Sequence, residues 1–384
     1  MHFKRFLRLD QLLEHRSVFL LGPRQTGKTT YLMDHFPTGR RFDLLDAQTF
    51  RLFSSRPETL RESIEEGDSL VIVDEIQRLP QLLNEVQLIL DKRKRNLRFV
   101  LTGSSARKLK RGGANLLGGR ALLTHLHPLV SPELGTGLAF DFQKRLLIGS
   151  LPHVIQSPIP HEDLKAYIGT YLQEEIKAEG LTRNIEDFSR FLEVAALTNG
   201  QLLNFTAIGS DCGVAPRTVQ NFYSILEDTL VGFQLLPFRK TKSRKAISTA
   251  KFYFFDLGIV NALLDRTSLS PKTAEYGLLL EHLIFLELKA YLDYQRLPQK
   301  IHFWRSQSQL EVDFLVHENI AIEVKTKESP SDNDFKGLRA LAEDIKLKRK
   351  IFLCKTPHRR KTADGIEIMP VRVFLEQLWS GDLF

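Results

Sequence analysis

The chain has 384 residues, of which 42% are hydrophobic and 26% charged, and its formal net charge is +8. These values are typical of a globular protein with two or three domains, and the modest basic excess permits a polyanionic partner without requiring one. Two widely separated cysteines, Cys212 and Cys354, exclude a disulfide framework and a cysteine-based metal site. With no apolar run long enough to span a bilayer and no signal-peptide core, we expect a cytoplasmic protein without membrane contact.

The N-terminal part begins with an apolar run that leads into a glycine-bracketed loop. Val18–Leu21 predicts a buried strand, and residues 22–29 read Gly-Pro-Arg-Gln-Thr-Gly-Lys-Thr, a complete G-x-x-x-x-G-K-[ST] pattern. A strand, loop and helix in this order direct backbone N–H groups toward one point, which suits phosphate oxygens. We therefore expect ATP and Mg²⁺ as cofactors. The expected nucleotide-binding residues are Gly22, Pro23, Arg24, Gln25, Thr26, Gly27, Lys28, Thr29 and Thr30.

A second apolar run ends in two carboxylates. Leu70–Val73 predicts a strand, and Asp74 and Glu75 follow it directly in a Walker B pattern. Asp74 and the hydroxyl of Thr29 are expected to hold Mg²⁺, and Glu75 is expected to polarise the attacking water. The alternative is a glycine-rich turn and a solvated acidic pair without a shared function. Two nucleotide-site motifs, each at the end of a predicted strand, argue against it.

Further strands at Arg41–Leu45 and Leu97–Leu101 make residues 17–130 an alternation of strands and helices, which predicts a parallel sheet. This region resembles the AAA+ superfamily of P-loop ATPases. The resemblance gives Thr102 or Ser104 the sensor position, and it makes Arg120 a candidate arginine finger or sensor. A surface arginine after a glycine turn is the alternative for Arg120. The resemblance also implies a homo-oligomer such as a hexameric ring.

Residues from about 140 to 237 have a helical pattern of apolar residues. Phe205–Asp211 and Pro216–Leu226 predict a helix-turn-helix, and the basic stretch after it stands where a winged version would have its wing. A packing module and a solvated loop are the alternatives. If the segment contacts DNA, the expected residues are Arg217, Thr218, Gln220, Asn221, Lys240, Lys242, Arg244 and Lys245.

The C-terminal part concentrates acidic residues on predicted strands. A helix at 276–292 and strands at 301–304, 312–316 and 320–324 are expected, with a turn at 317–319 that brings Asp313 beside Glu323 and Lys325. Two carboxylates and a lysine suit metal-dependent phosphodiester cleavage, with Asp313 and Glu323 on the metal. The pattern resembles the PD-(D/E)xK nuclease superfamily, which adds Glu281 as a helical acidic residue. A solvent-exposed hairpin of alternating charge is the alternative.

The fold class we predict is α/β, with an AAA+-like P-loop NTPase core at 1–135, a helical and winged-helix-like segment at 136–245, and a restriction-endonuclease-like α/β domain at 246–384. This order resembles a widespread prokaryotic family of ATPases with an uncharacterised C-terminal region. The predicted function is ATP hydrolysis coupled to DNA binding and Mg²⁺-dependent DNA cleavage. A nucleotide-switched DNA-binding regulator with an inert nuclease fold, and an ATPase that remodels a protein partner, remain open.

Overall fold

In the computed structural model, residues 3–92, 97–105, 116–172 and 185–384 are described. The chain divides into two compact units. The N-terminal unit comprises residues 4–128 and 225–231, and the C-terminal unit comprises residues 1–3, 129–224 and 232–384. No helix within these described ranges combines the length and apolar composition needed to cross a bilayer.

A five-stranded sheet forms the centre of the N-terminal unit. Its strands are β1 (Ser17–Leu21), β2 (Arg40–Asp43), β3 (Leu70–Asp74), β4 (Arg98–Gly103) and β5 (Ala121–His125). All neighbours are parallel, in the order β2-β3-β4-β1-β5. The predicted parallel sheet is confirmed, and β5 is a strand that the pattern did not reveal. Because β1, β3 and β4 are adjacent and parallel, their carboxyl ends meet at one edge of the sheet.

Helices cover this sheet because its strands are apolar on both faces. They are α1 (Leu9–Leu13), α2 (Lys28–His35), α3 (Ala47–Ser55), α4 (Thr59–Glu62) and α5 (Leu82–Lys92). On α5, Leu82, Val86 and Ile89 recur at helical spacing and are buried in the core with Phe99 of β4.

The C-terminal unit is built on an eight-stranded mixed sheet in the order β12-β13-β11-β10-β9-β8-β6-β7. The strands are β6 (Gly232–Pro237), β7 (Lys251–Phe254), β8 (Ile301–Arg305), β9 (Glu311–Val316), β10 (Ile320–Val324), β11 (Arg349–Cys354), β12 (Arg360–Lys361) and β13 (Ile366–Pro370). The helical pattern we extended to residue 237 is wrong over Gly232–Pro237, because hydrogen bonding to β7 and β8 holds this segment in the sheet. The expected border between residues 245 and 246 falls inside this sheet.

The helices of the C-terminal unit are α6 (Gly135–Ala139), α7 (Phe142–Ile148), α8 (Pro152–Gln156), α9 (Pro160–Ala166), α10 (Ile185–Leu197), α11 (Phe205–Cys212), α12 (Pro216–Asp228, of which residues 225–228 belong to the N-terminal unit), α13 (Leu257–Leu263), α14 (Ala274–Tyr294), α15 (Lys336–Asp344) and α16 (Val371–Ser380). The two helices predicted from 205 and 216 are present as α11 and α12. The turn between them depends on Gly213, whose φ is 70°. It also depends on Gly209, since an added Cβ there would lie 2.6 Å from the Val214 carbonyl oxygen.

Candidate functional site

The phosphate-binding loop lies between β1 and α2, at the carboxyl edge of the parallel sheet. Gly27 precedes α2 with φ 88°, a left-handed conformation that favours glycine. Gly22 has no room for a side chain, because a Cβ there would lie 2.5 Å from the Leu126 carbonyl oxygen. The ammonium of Lys28 donates to the carbonyl oxygens of Gly22 (2.8 Å) and Pro23 (3.0 Å). The loop is thus closed around its own lysine, which is almost fully buried.

Arg5 supports this loop and was missed by the sequence reasoning. Its guanidinium donates to the carbonyl oxygens of Thr26 and His127, both at 2.6 Å. It therefore ties the loop to the segment that follows β5. A basic residue near the N-terminus carries no pattern that would have indicated this role, since the contact joins positions 122 residues apart.

Three polar side chains from three elements meet beside the loop. The Thr29 hydroxyl donates to the Asp74 carboxylate at 2.8 Å, and the Thr102 hydroxyl donates to the other oxygen of the same carboxylate. Thr29 lies in the first turn of α2, Asp74 ends β3, and Thr102 is near the end of β4. A hydroxyl and a carboxylate side by side next to a phosphate loop are the ligands that Mg²⁺ takes in such sites. These residues therefore fit the expected Mg²⁺.

Glu75 follows Asp74 in a left-handed conformation, with φ 59°. A non-glycine residue in this region is uncommon and is found more often at functional sites. Its backbone N–H donates to the Thr102 hydroxyl at 3.0 Å, and its carboxylate accepts from Gln77. Gln77 also donates to the Ser104 hydroxyl at 3.1 Å. Gln77 is a second residue that sequence reasoning missed, and it links the Glu75 carboxylate to the Ser104 position.

Arg120 lies away from these residues. It precedes β5, whose first residue pairs with Ser17 at the start of β1, so it is at the edge of the sheet opposite the loop. Five residues of strand separate the two edges, a distance of about 17 Å. Its guanidinium donates to both oxygens of Asp91, at 2.7 and 3.3 Å. Arg120 therefore does not reach the phosphate loop of its own chain.

The C-terminal unit contains a second concentration of charge, and the four candidate cleavage residues lie in it. Asp313 on β9 and Glu323 on β10 are both almost fully buried. Lys325 forms ion pairs with Glu323 and, at 3.6 Å, with Asp313. Asp313 also accepts the backbone N–H of Val324 at 2.8 Å. The predicted approach of Asp313, Glu323 and Lys325 is present, because β9 and β10 are antiparallel neighbours.

Glu281, on α14, joins this cluster through residues that the sequence analysis did not single out. Lys251 on β7 lies between Glu281 (3.0 Å) and Glu311 (2.7 Å), and its side chain is 5% exposed. The Tyr253 hydroxyl donates to Glu281 at 2.5 Å. Lys251 and Tyr253 belong to the largely aromatic run 251–255. Because alternate side chains of a strand share one face, this run could have indicated that the two residues point to the same side of the sheet.

Burial and charge shift the pKa values of these groups in consistent directions. Burial raises the pKa of Asp313 and Glu323, and their neighbouring carboxylates raise it further. Burial alone would lower the pKa of Lys251, but Glu281 and the other acidic groups around it raise it well above its usual value. The cluster therefore contains carboxylates that resist ionisation and an ammonium that stays charged.

Two observations bear on a metal ion in this cluster. One carboxylate oxygen of Glu323, Oε2, is buried and accepts no hydrogen bond from the described residues, so it can accept a cation. In the described part of the chain, however, no three or more His, Cys, Asp or Glu side chains are arranged as a metal site. The Lys251 ammonium already bridges Glu281 and Glu311. The fit to a metal is therefore limited to Asp313 and Glu323.

The helix-turn-helix exposes three of the four expected contact residues, Arg217, Gln220 and Asn221, while Thr218 is half-buried. In the basic stretch after β6, two of the four expected cations are paired within the unit. Lys240 contacts Glu318 at 2.7 Å, and Arg244 contacts Glu343 at 2.5 Å. The expected wing thus presents Lys242 and Lys245 as exposed cations.

The parallel sheet, the phosphate loop and the Asp74 site together define a P-loop nucleotide-binding domain. Residues 14–135 match a family described as "AAA domain", and this part of the chain is accordingly an AAA-type P-loop domain that binds ATP. Residues 139–270 and 276–374 match two families described as domains of unknown function (DUF8612 and DUF4143).

Relatives extend over most of the chain. An uncharacterised protein of Mycobacterium tuberculosis is 26% identical over 376 residues, which cover 94% of this chain and 82% of the relative. An uncharacterised protein of Methanocaldococcus jannaschii is 23% identical over 382 residues, with 88% and 81% covered. The two units therefore occur together in bacterial and archaeal proteins that are similar to this chain.

Solved structures align more distantly. The Orc1 protein of Aeropyrum pernix, in complex with DNA, is 14% identical with a TM-score of 0.25, over 67% of this chain and 91% of that one. A signal transduction ATPase with numerous domains from Pyrococcus horikoshii is 15% identical with a TM-score of 0.25, over 78% and 48%. TM-scores this low support no inference about this chain.

Proposed function

We propose that the AAA-type domain hydrolyses ATP. The observation that carries this proposal is the hydrogen-bonded group of Thr29, Asp74 and Thr102 beside the phosphate loop. In this proposal the backbone of residues 22–30 binds the phosphates, and the Lys28 ammonium turns from the loop carbonyls to the terminal phosphates. Mg²⁺, held by Thr29 and Asp74, would neutralise phosphate charge.

The remaining polar residues of this edge have separate roles in hydrolysis. Glu75 orients and polarises the attacking water, and Gln77 keeps its carboxylate in position. Thr102 holds Asp74, and Ser104 stands at the sensor position next to Gln77. Such groups act because they are already oriented when charge develops on the phosphate.

Arg120 acts, in this proposal, on a neighbouring copy of the chain. Because it is about 17 Å of strand from its own loop, a contribution to hydrolysis requires a homo-oligomer such as a ring. Its bidentate pairing with Asp91 would be exchanged for the phosphate of the neighbour. The rate of ATP hydrolysis per wild-type chain would then increase with protein concentration, because assembly brings Arg120 of one copy to the site of another.

Glu75→Gln tests the assignment of the hydrolytic site. Loss of the carboxylate removes general-base assistance but leaves the phosphate loop intact, so we expect hydrolysis to fall about 100-fold while ATP affinity is retained. Phosphate release and calorimetric titration with ATP and Mg²⁺ measure the two quantities. Glu62→Gln, at an exposed position of α4, is the matched control. Unchanged phosphate release by Glu75→Gln would refute the role of Glu75.

A second candidate function is cleavage of DNA in the C-terminal unit. The observation that favours it is the meeting of Asp313, Glu323 and Lys325, together with a Glu323 carboxylate oxygen that accepts no hydrogen bond from the described residues. Asp313 and Glu323 would hold a divalent ion that stabilises charge on the phosphodiester. Lys325 would orient the water, and Glu281 would hold the Lys251 ammonium beside the cluster. The helix-turn-helix residues and the exposed lysines of the wing would contact the DNA.

Asp313→Asn tests this second function. The amide keeps the side-chain volume and an oxygen for the Val324 N–H, but it removes the negative charge a metal requires. We expect Mg²⁺- or Mn²⁺-dependent degradation of plasmid and single-stranded DNA to fall about 100-fold, with ATP hydrolysis unchanged. Asp332→Asn, on the surface, is the control.

The outcome of that assay separates the alternatives. If the wild type degrades no DNA but binds it in a nucleotide-dependent way, the nuclease assignment is wrong and the protein is a regulator with an inert fold. If DNA binding is absent at low salt, remodelling of a protein partner becomes the better explanation for the ATPase.

A further inference from the structure

A basic cleft of about 710 Å³ lies on the C-terminal unit, away from the cluster around Asp313. Its walls come from the start of β11, the edge strand β12, β13, and the helix α16 with the residues after it. Two short basic runs, residues 346–350 and 358–361, supply the cationic part of these walls. Five of the eight lining residues are cationic and two are acidic. The five are Lys348, Arg349, Arg359, Arg360 and Lys361.

The cleft has a fixed part and an open part. Glu367 on β13 accepts two hydrogen bonds from Arg349, both 2.9 Å, and one from Arg359 at 2.7 Å. One carboxylate thus orients two guanidinium groups and neutralises only one of them. This leaves Arg359 half-exposed and held in position, which reduces the entropy lost when it binds a ligand.

The open part is formed by Lys348, Arg360 and Lys361. All three are exposed, and none forms an ion pair with any residue in the described ranges. β12 is the last strand of the sheet and pairs with β13 alone. Charged residues on an edge strand are sufficient to prevent pairing with another strand. That function does not require a cleft or the oriented guanidinium groups beside it.

We propose that this cleft binds the phosphodiester backbone of DNA. All eight lining residues are charged or polar, so the apolar side chains that anchor a peptide have no partner there. Planar guanidinium groups bind phosphate oxygens through two hydrogen bonds, and the excess of positive charge favours a polyanion. In the wing, by contrast, Lys240 and Arg244 are paired with carboxylates of the same unit.

This site shares only its class of ligand with the proposed function, and it depends neither on ATP hydrolysis nor on cleavage. The backbone carries no sequence information, so the cleft binds duplexes of different sequence with similar affinity. It also gives the C-terminal unit a DNA contact even if the helix-turn-helix serves only in packing.

The double substitution Arg360→Glu and Lys361→Glu tests the proposal in the full chain. Both side chains are exposed, and neither forms an ion pair or a side-chain hydrogen bond with a described residue that its loss would leave unpaired. With a fluorescent 30-base-pair duplex and anisotropy as the readout, we expect affinity to fall at least about 10-fold. The slope of log affinity against log salt should become shallower by about 2. A change to a duplex of different sequence should leave both results unaltered.

Three control variants separate the effect of the cleft from the effects of overall charge, of the type of basic residue and of the helix-turn-helix. Lys272→Glu with Lys300→Glu makes the same charge change at exposed positions elsewhere on the unit, and it should leave the affinity near that of the wild type. Arg360→Lys with Lys361→Arg keeps the charge and should also bind normally. Arg217→Glu tests the helix-turn-helix separately, so failure of that site is distinguishable from failure of the cleft.

Wild-type affinity in the reversal variant, or an equal loss in the Lys272 and Lys300 control, overturns the proposal. So does an absence of DNA binding by the wild type. A fluorescent acidic peptide that binds the wild type as tightly as DNA and is lost in the reversal variant would assign the cleft to a protein partner instead.

Discussion

Lys28→Ala is expected to lower ATP hydrolysis on the order of 1,000-fold, because it removes the charge-assisted donor from the phosphate loop. The Lys28 ammonium is almost fully buried and bonds the carbonyl oxygens of Gly22 and Pro23. The wild-type loop therefore has a preformed position for the ammonium. Phosphate release at saturating ATP and Mg²⁺ measures the effect.

The matched control is Lys92→Ala at the exposed end of α5, which removes the same side chain outside the site. It should retain wild-type hydrolysis. Because alanine also deletes two hydrogen bonds within the loop, Lys28→Met is a useful companion that preserves most of the side-chain volume. Turnover by Lys28→Ala and Lys28→Met equal to that of the wild type would show that the phosphate loop is not the hydrolytic site.

Lys251→Met is expected to destabilise the C-terminal unit by about 3 kcal/mol, since it leaves the largely buried carboxylate of Glu281 without its cation. Glu281 and Glu311 both contact the Lys251 ammonium, at 3.0 and 2.7 Å, and Tyr253 donates to Glu281. Methionine has a similar length and can pack against the Phe303 ring that the Lys251 ammonium faces, so the loss of charge dominates the change.

The two tryptophans of the chain offer a selective readout for this prediction. Trp304 and Trp379 both belong to the C-terminal unit, and Trp304 is fully buried. Urea unfolding followed by tryptophan fluorescence therefore reports that unit rather than the N-terminal unit. We expect a lower midpoint for Lys251→Met with an unchanged slope.

Lys165→Met provides the matched control, since the pair of Lys165 with Asp265 is exposed on both sides and contributes little. Adding Glu281→Gln to Lys251→Met should restore part of the lost stability, because it removes the charge that loses its cation, whereas Glu311 keeps its ion pair with Arg305 at 3.2 Å. An unchanged midpoint in Lys251→Met would contradict the role of Lys251 as the internal cation of the cluster.

Local patterns predicted the elements whose residues lie close together in the chain. The strand before the phosphate loop, the loop itself and the strand ending in Asp74 were all recognisable, because hydrophobic runs of strand length precede fixed polar residues. The hairpin of β9 and β10 was predictable for the same reason: alternation on two short strands separated by a turn specifies which residues face each other.

Contacts between distant segments were not predictable in this way. β6 was assigned to a helical region because a run of six residues is too short for its hydrophobic pattern to distinguish a helix from a strand. Hydrogen bonding to β7 and β8 makes it a strand. Arg5, Gln77 and Lys251 escaped notice because each acts on residues contributed by other elements. Arg120 matched a motif, but only the pairing of β5 with β1 revealed that it lies at the opposite edge.

The amino-acid order by itself determined that a strand, a glycine-bracketed loop and a helix would follow one another and present backbone amides to phosphate, since these depend on neighbouring residues. Tertiary structure alone decided which cations meet which carboxylates. Lys251 became an internal counterion and Lys240 and Arg244 were neutralised, whereas Arg360 and Lys361 remained exposed beside an oriented arginine. The physical reason is that electrostatic energy depends on distance and burial, which only the packed sheets establish.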